Sequence, residues 1–425
     1  MRRFRPAVPS ALPALGLALV LLLAGCGGGS KSSSSSGGTS QSVKLTFWST
    51  MNDQETVTMK QIVAECQTQL PNIHVTLQNI PFDSAQNKFR TAAQGNTAPD
   101  IMRSEVAWVA DFASQGFLLP LDKYVSAADK ADYLPNALAY DQYQGKLWGV
   151  PQVTDALALL YNKRLLAAKG ITSPPQSLDE LKADVAKFAD GKPYGLYMRA
   201  DPYWLQPFVW AFGGGLVDLQ QKRILINDAQ SVQGAQWLLD LVKSKGVAPN
   251  RDFTKDYDNA MTAFKSGNVA MILNGPWSTS DVLGGSAFKD ASNFGIAPIP
   301  AGPGGQGSPV GGHNYTIFAG SKHPDQAYQF ITCLNSAQHQ ADLAAKNNLL
   351  PTRKSAYSDA KVQANPVVSA FEPVMVKATA RPVSPEGGSI YTDFGPAWQK
   401  AYAGKASAQQ ALDQVAAAWK QLYKY

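Results

Sequence analysis

The 425-residue chain is poor in the residues that carry most metal and hydrolytic chemistry. It has four histidines and three cysteines, and they do not follow metal-ligand spacing. The chain contains no Gly-x-Ser-x-Gly elbow, the nucleophile motif of many serine hydrolases. Gly302, Gly304 and Gly307 match the dinucleotide fingerprint in letters only, because prolines interrupt the stretch and no helix pattern follows. We therefore expect no metal, no cofactor and no serine nucleophile.

An excess of charge of one sign is also lacking. The first 25 residues hold three of the 38 basic residues and none of the 32 acidic ones, so the remainder has 35 basic against 32 acidic residues, a net charge of +3. No basic block or aromatic-interleaved basic stripe occurs, which argues against nucleic acid as a partner. With 45% hydrophobic and 16% charged residues, the chain can form a large core, and its length favours two lobes.

The N-terminus has the pattern of an export signal. Three arginines precede an apolar run over residues 15–23, and Ala24 and Gly25 lead to Cys26. The run is too short to span a hydrocarbon core of roughly 30 Å, and small residues before the cysteine suit a signal peptidase. Residues 1–25 are thus predicted to be a signal peptide. Their end resembles the lipobox of bacterial lipoproteins, which implies a lipid on Cys26; an ordinary secretory signal with a chance cysteine is the alternative.

Glycine and serine dominate residues 26–42, which cannot form a core. We predict a flexible tether with an end-to-end distance on the order of 20 Å. Two or more acyl chains give stable anchoring. The expected location is therefore the outer face of the cell membrane, in a Gram-positive bacterium, with the membrane contacted through the lipid.

Besides Cys26, the chain has Cys66 and Cys333, each within an apolar periodic segment. An oxidising compartment would permit a bond between them. Two buried free thiols are the simpler interpretation, and a disulfide remains the alternative.

Strand and helix patterns alternate along residues 43–425. Strands are predicted at 44–48 and 74–78, and a helix between them, ended by Pro71, has apolar residues spaced by three and four. Two later helices begin at capping-box pairs, Ser177 with Glu180 and Ser407 with Gln410. This alternation predicts an α/β chain with mainly parallel sheets flanked by helices.

The segment 263–277 reads AFKSGNVAMILNGPW. It resembles the signature of family 1 extracellular solute-binding proteins of ABC importers. The physical pattern agrees, since Gly267 separates a helix from a strand at 269–273, and Gly275 with Pro276 ends that strand. Trp277 is then presented at the carboxyl edge, where ligands of open α/β sheets collect.

Further stretches extend the resemblance over nearly all of residues 43–425. It narrows to maltose- and maltodextrin-binding lipoproteins of Gram-positive actinobacteria. The stretches that carry it are 81–89, 98–105, 155–163, 311–314 and 350–353.

The resemblance implies a two-lobed, periplasmic-binding-protein-like fold of type II, with the ligand between the lobes. Crossings are expected near 152–154, near 311–315 and within 352–362. The expected divisions are lobe one at 43–152 and 313–355, and lobe two at 153–312 and 356–425.

A sugar presents hydroxyls at its edge and C–H patches on its faces, so its site pairs polar side chains with aromatic rings. By resemblance, Trp277, Tyr391 and Tyr203 should contact sugar faces, and Asp155 should bridge ligand and lobes at the first crossing. Asn52, Asp53 and Glu55 are expected in the loop after the first strand. The remaining candidates are Arg103, Ser104, Glu105, Trp108, Gly312, His313 and Arg381.

Each candidate has a structural alternative. Core packing is the alternative for the three aromatic residues just named, and a hinge role is the alternative for Asp155 and His313. A solvated or capping role is the alternative for Asn52, Asp53, Glu55, Glu105 and Arg381. Many relatives have tryptophan where this chain has Tyr391, which implies a shorter or differently turned ligand. The enteric relatives have a tryptophan near Ser104 that this chain lacks, which puts long glucans bound in the enteric manner in doubt.

The resemblance implies a monomeric binding protein, not an enzyme, that takes maltose or maltooligosaccharides to an ABC permease in the membrane. Sugar bridging the lobes would stabilise a closed form. Trehalose or another disaccharide is an alternative ligand. A secreted glycoside hydrolase, which also needs carboxylates and aromatics, and an adhesive surface lipoprotein are the alternatives of other classes.

Overall fold

The computed structural model describes residues 42–425. The predicted signal peptide and Cys26 lie outside the described residues, as does all of the predicted tether except Ser42. Within 42–425, no helix has both the length and the apolar character needed to cross a bilayer.

Helices and strands alternate along the described chain, as the sequence pattern predicts. The α-helices are Asp53–Gln69 (α1), Phe82–Gln94 (α2), Trp108–Ser114 (α3), Ala127–Asp132 (α4), Pro135–Ala139 (α5), Lys163–Ala167 (α6), Leu178–Ala186 (α7), Pro202–Ala211 (α8), Ala229–Val242 (α9), Asp256–Lys265 (α10), Thr279–Leu283 (α11), Pro324–Leu334 (α12), Ala337–Asn347 (α13), Ala360–Gln363 (α14), Pro366–Lys377 (α15), Ile390–Tyr402 (α16) and Ala408–Tyr423 (α17). The strands are Val43–Ser49 (β1), Ile73–Asn79 (β2), Ile101–Glu105 (β3), Gln142–Tyr143 (β4), Lys146–Leu147 (β5), Val150–Ala156 (β6), Ala158–Asn162 (β7), Tyr194–Tyr197 (β8), Val217–Asp218 (β9), Arg223–Ile224 (β10), Val269–Asn274 (β11), Phe294–Ala297 (β12), Val310–Ile317 (β13) and Leu350–Pro351 (β14).

A six-stranded sheet in the order β14-β6-β13-β3-β1-β2 organises one half of the fold. The half that contains this sheet is called the first half, although β13 and β14 come late in the chain. Side chains alternate across each strand, and separate cores lie on the two faces of the sheet. Leu45 and Phe47 lie in the core that also contains residues of α1 and α12. Met102 lies on the other face, in a core shared with Phe89 of α2 and Phe112 of α3.

A four-stranded sheet in the order β12-β7-β11-β8 organises the second half. One core at this sheet contains residues of α8, α9, α16 and α17. Another contains residues of α10 and α15. The two sheets, with helices on both faces of each, confirm the predicted α/β class.

Both sheets are mixed, which corrects the prediction of mainly parallel pairing. Strand β1 pairs parallel with β2 and β3, and β11 with β8. The pairs that involve β6, β7 and β13 are antiparallel. Strands β6 and β7 belong to different sheets and are separated by Leu157 alone, so the chain runs from the first sheet directly into the second.

The chain passes between the two sheets three times. It does so at Leu157, in residues 298–309 between β12 and β13, and in residues 352–365 between β14 and α15. The predicted crossing segments 152–154 and 311–315 lie inside β6 and β13, close to these passages. The lobe boundaries derived from them stay a prediction.

The first helix shows how local signals determine its limits. Asn52 is the N-cap of α1 and forms a reciprocal capping box with Glu55. The apolar spacing that predicts this helix is confirmed, and Leu70 caps its C-terminus. Asp53 and Glu55 therefore lie in the first helical turn, which corrects their predicted place in a loop.

Cys66 and Cys333 form a disulfide with a Cα–Cα distance of 5.8 Å. The prediction of two free thiols is wrong. Helices α1 and α12 pack side by side on one face of the six-stranded sheet, which brings together two residues that are 267 positions apart in sequence. The disulfide joins α1, which Asn52 caps, to α12, the helix that follows β13.

Candidate functional site

The N-terminus of α1 brings polar groups from the first half toward the second. Asn52 Nδ2 donates to the backbone carbonyl of Trp277 at 3.0 Å. Glu55 Oε2 accepts from the backbone N–H of Asn52 at 3.1 Å. In the described residues, the other oxygen of Glu55, Oε1, is buried and has no hydrogen-bond partner. The capping box thus uses one Glu55 oxygen and leaves the other without a partner.

Strand β3 separates its polar residues onto two faces, because successive side chains point in opposite directions. Arg103 Nε donates to Gln152 Oε1 at 2.8 Å, and its Nη1 donates to Thr50 Oγ1 at 3.1 Å. Glu105 pairs with Arg381. Ser104 Oγ instead forms a hydrogen bond with Thr316 Oγ1 at 2.9 Å, on the face of the strand opposite to Arg103 and Glu105.

Strand β6 supplies a run of buried polar residues just before the chain enters the second sheet. Gln152, Thr154 and Asp155 are 0%, 3% and 8% exposed. Within the described chain, Gln152 Nε2 and Thr154 Oγ1 are buried without partners. Buried polar atoms in native proteins are normally hydrogen-bonded, so Gln152 and Asp155 are candidates for ligand contact, whereas Thr154 faces the opposite side of the sheet from Asp155.

Glycines in β13 allow side chains to approach the strand closely. A Cβ on Gly311 would overlap Asp155 Oδ1 and lie 2.9 Å from the Tyr203 hydroxyl. Gly312 has a φ of +138°, which disfavours other residues. Both ring nitrogens of the next residue, His313, are buried, and neither has a partner within residues 42–425.

Aromatic rings of the second half lie beside these polar groups. Tyr203 is near the start of α8, where Asp201 caps the helix, and its hydroxyl donates to the carbonyl of Pro309 at 3.3 Å. The rings of Tyr203 and Tyr391 are 6.3 Å apart. Gln206 Nε2 donates to the Tyr391 hydroxyl at 2.8 Å.

Trp277 lies at the end of β11, in the short helical turn Pro276–Ser278. Its ring lies so close over Gly275 that any Cβ there would overlap it. The side chain is partly buried and packs against the cores of both halves. The predicted strand end and the placement of Trp277 are confirmed.

Arg381 joins the two halves through a buried ion pair. It lies between α15 and α16, and its guanidinium pairs with Glu105 of β3. Its Nε donates to the carbonyl of Val310 at 2.9 Å. The guanidinium also lies 5.5 Å from the ring centre of Tyr203, within the range of a cation–π contact.

Burial determines the electrostatics of the cluster. It raises the pKa of Asp155 to about 7, assisted by nearby Glu105 and opposed by Arg381. Burial also raises the pKa of Glu55, against the effect of Arg103. The pKa of His313 is held well below its usual value by burial and then by Arg103 and Arg381. His313 is therefore a neutral ring that offers one donor and one acceptor.

The structure brings most predicted residues together. The assembled set contains Asn52, Glu55, Arg103, Glu105, Asp155, Tyr203, Trp277, Gly312, His313, Arg381 and Tyr391. Asp53 is exposed on the first turn of α1, and Ser104 faces away. Trp108 packs in a core of the first half, where it stacks on Phe82.

Sequence reasoning missed two polar members of the candidate site. Gln152 was placed in a crossing segment without a binding role, and Gln206 lies on α8 with an unpartnered Oε1 among residues 42–425. A buried polar residue in an otherwise apolar strand or helix is a recognisable signal, but the sequence does not show which positions are buried.

The fold and the site together define a two-lobed α/β ligand-binding protein of the type II periplasmic class. A family model described as bacterial extracellular solute-binding protein matches residues 52–341. The chain belongs to this family, whose members bind substrates and are not enzymes. The predicted family and the predicted absence of enzymatic activity are confirmed, and the glycoside hydrolase alternative is set aside.

Solved structures and one curated relative support the same assignment. The GacH receptor of Streptomyces glaucescens, whose structures include a complex with acarbose, is 42% identical with a TM-score of 0.86, covering 90% of this chain and 99% of the receptor. The Thermus thermophilus maltotriose-binding protein is 28% identical with a TM-score of 0.78, covering 89% of this chain and 99% of its own. The galactooligosaccharide-binding protein of Bacillus subtilis is 25% identical over 94% of this chain and 93% of its own.

Proposed function

We propose that this chain is the lipid-anchored substrate-binding protein of an ABC sugar importer, and that it binds maltose or maltooligosaccharides between its two halves. The observation that carries the proposal is the concentration of buried, unpartnered polar atoms in one cluster. Among the described residues 42–425, the atoms of this cluster are Glu55 Oε1, Gln152 Nε2, Gln206 Oε1 and both ring nitrogens of His313.

These atoms match the chemistry of a sugar edge. Leaving a buried donor or acceptor unpaired costs about 1–3 kcal/mol each. A polyhydroxyl ligand offers hydroxyls that donate to the carboxylate and amide oxygens and accept from the amide N–H. Most of the atoms belong to strands or helices, which hold them in fixed positions. A sugar is therefore a better match for the cluster than an apolar ligand.

The aromatic residues match the faces of a sugar. Trp277, Tyr203 and Tyr391 come from three elements of the second half, while Asn52, Glu55 and most of the unpartnered atoms come from the first. Sugar contacts from both halves would exist only in a closed form, so ligand would shift the hinge toward closure. The closed outer surface would then be what the permease recognises.

The relatives support an oligosaccharide without distinguishing which one. One was solved with acarbose, one with maltotriose, and one is described as a binder of galactooligosaccharides. Maltooligosaccharides are the proposed ligand class, and trehalose or another disaccharide is the alternative. Anchoring through Cys26, the lobe divisions at 43–152, 153–312, 313–355 and 356–425, a monomeric state and delivery to the permease belong to the same proposal.

Titration calorimetry with a sugar panel tests the proposal. The panel should contain maltose, maltotriose, maltotetraose, trehalose, acarbose and a galactooligosaccharide. Trp277→Ala should weaken binding of the preferred sugar by about tenfold or more, because it removes a stacking ring at the centre of the site. Asp155→Ala should weaken it by about 10- to 100-fold, since hydrogen bonds to charged groups contribute about 1.5–3 kcal/mol.

Asp53→Ala is the matched control, because Asp53 is an exposed carboxylate on the helix that carries Glu55. Its affinity should stay within about twofold of the wild type. Sugar binding that survives both Trp277→Ala and Asp155→Ala within a few fold would reject this site. A panel in which no sugar binds would reject the function and favour an adhesive or structural role.

A further inference from the structure

Phe82 is an exposed aromatic residue at the edge of the candidate site. It is the first residue of α2, directly after Pro81. Its relative exposure is 46%, and among the described residues it is one of four large hydrophobic residues that are exposed. Its position next to the proposed sugar site distinguishes it from a scattered surface residue.

The Phe82 ring contacts the rings of two predicted site residues. It stacks on Trp108, with ring centres 5.2 Å apart and an angle of 27° between the planes. It also meets the ring of His313 edge-on at 5.9 Å. Trp108 is 6% exposed, so Phe82 is the member of this cluster that presents ring surface to the outside.

The segment that carries Gly388 comes close to α2, the helix that begins at Phe82. A Cβ on Gly388 would overlap Gln86 Nε2 and lie 3.1 Å from Trp108 Cδ1. Gln86 is one helical turn after Phe82, so the two residues share a face of α2. The segment that carries Gly388 also carries Arg381 and leads into Tyr391. Phe82 therefore lies near the margin where the two halves meet.

We infer that Phe82 is the stacking surface of an additional sugar subsite, which holds a pyranose ring beyond those bound by the buried cluster. A flat ring supported from below by Trp108 loses little conformational freedom when a sugar face packs on it. Phe82 thereby sets a preference for longer oligosaccharides. This inference rests on the proposed function and deepens it.

The experiment measures affinity against ligand length. Wild type, Phe82→Ala, Phe82→Leu and Phe82→Trp are titrated with maltose, maltotriose, maltotetraose and maltopentaose. For Phe82→Ala and Phe82→Leu, affinity for the shortest ligand that binds should stay within about twofold. Affinity for longer ligands should fall by roughly three- to tenfold, the range expected for one aromatic contact. Phe82→Trp should retain the wild-type length dependence.

Val57→Ala is the matched control, because Val57 is an exposed hydrophobic residue (59%) near the start of the preceding helix, α1; it should change no affinity. Thermal unfolding of every variant separates binding from folding. An equal loss for all lengths, or no loss for any, would overturn the Phe82 inference while wild-type binding still upheld the proposed function. A wild type that binds no member of the series would overturn both.

Discussion

Two buried arginines, Arg353 and Arg103, lie in the same half of the molecule, but their surroundings differ. Arg353 Nε donates to the carbonyl of Asn335 at 2.7 Å, and its Nη2 donates to the Tyr133 hydroxyl at 2.9 Å. Its Nη1 pairs with Asp132 at 3.1 Å. In residues 42–425, no polar side-chain atom of this arginine is both buried and unpartnered.

Arg103 has fewer partners, and its neighbours are left incomplete. Its bonds go to Gln152 and Thr50. In the described structure, Gln152 Nε2 and Glu55 Oε1 nearby are buried without partners. A fully paired buried network supports one fold, whereas a partly paired one is costly unless something else completes it. The contrast separates the paired cluster around Arg353 from the incomplete cluster around Arg103, which is the proposed binding cluster.

The pKa values of one carboxyl group from each cluster, Asp132 and Asp155, are shifted in opposite directions. Burial acts to raise the pKa of Asp132, but hydrogen bonds from Ser355 and Arg353 outweigh it and leave the pKa below its usual value. In the binding cluster burial prevails, and the pKa of Asp155 rises to about 7. The protein thus stabilises the charge of Asp132 and leaves that of Asp155 to be stabilised by another group.

Arg353→Met should have the largest effect on stability. It removes a buried cation together with its hydrogen bonds to Asp132, Tyr133 and Asn335, which should lower the free energy of unfolding by about 4 kcal/mol. Sugar affinity of the folded protein should stay within about twofold. Urea denaturation and calorimetry measure the two quantities. Arg103→Met should lower the sugar affinity strongly and the free energy of unfolding less than Arg353→Met does. A larger affinity loss for Arg353→Met than for Arg103→Met would contradict the distinction between the two clusters.

Removing the disulfide should have the next largest effect. The bond joins α1 to α12, outside the binding cluster. The double variant Cys66→Ala, Cys333→Ala should lose about 3 kcal/mol of stability, because the unfolded chain is no longer constrained. Urea unfolding of the variant should resemble that of the reduced wild type, with affinity little changed at temperatures where the variant is folded. A variant as stable as the oxidised wild type would contradict this prediction.

Asp155→Asn should have the smallest effect, visible as a pH dependence. A carboxyl whose pKa is raised on folding stabilises the fold fully below its unfolded pKa and loses that contribution as pH rises through its folded pKa. Without sugar, the stability of wild type relative to Asp155→Asn should therefore fall between pH about 4 and 7. The expected size is roughly 1–2 kcal/mol, since opening of the hinge would hydrate the carboxylate and limit the penalty.

Urea unfolding of both proteins across that pH range, without sugar, provides the measurement. Asp53→Asn is the control, because Asp53 is exposed. A difference between wild type and Asp155→Asn that is flat across the range, or that grows as pH rises, would show that Asp155 is not buried as described.

The parts of the fold that depend on local sequence were predictable. The capping box at Ser407, the spacing of apolar residues in α1 and the turn at Gly267 before β11 are all confirmed. Such signals act within a few residues, so they can be read without knowing the tertiary structure. The family resemblance added the two-lobed architecture.

Features that depend on distant contacts were not predictable in the same way. Cys66 and Cys333 meet only because two helices pack together. Ser104 faces away from Arg103 because β3 alternates its faces, and its motif gives no sign of which face is the binding one.

A sugar bound between the two halves should supply hydrogen-bond partners for the unpartnered buried atoms of the proposed binding cluster. The most direct test is a crystal structure with the panel sugar that binds most tightly. Sugar hydroxyls should lie within hydrogen-bond distance of Glu55 Oε1, Gln152 Nε2 and a ring nitrogen of His313, directly or through one water molecule. A sugar bound elsewhere, with these three atoms still unpaired, would contradict the account.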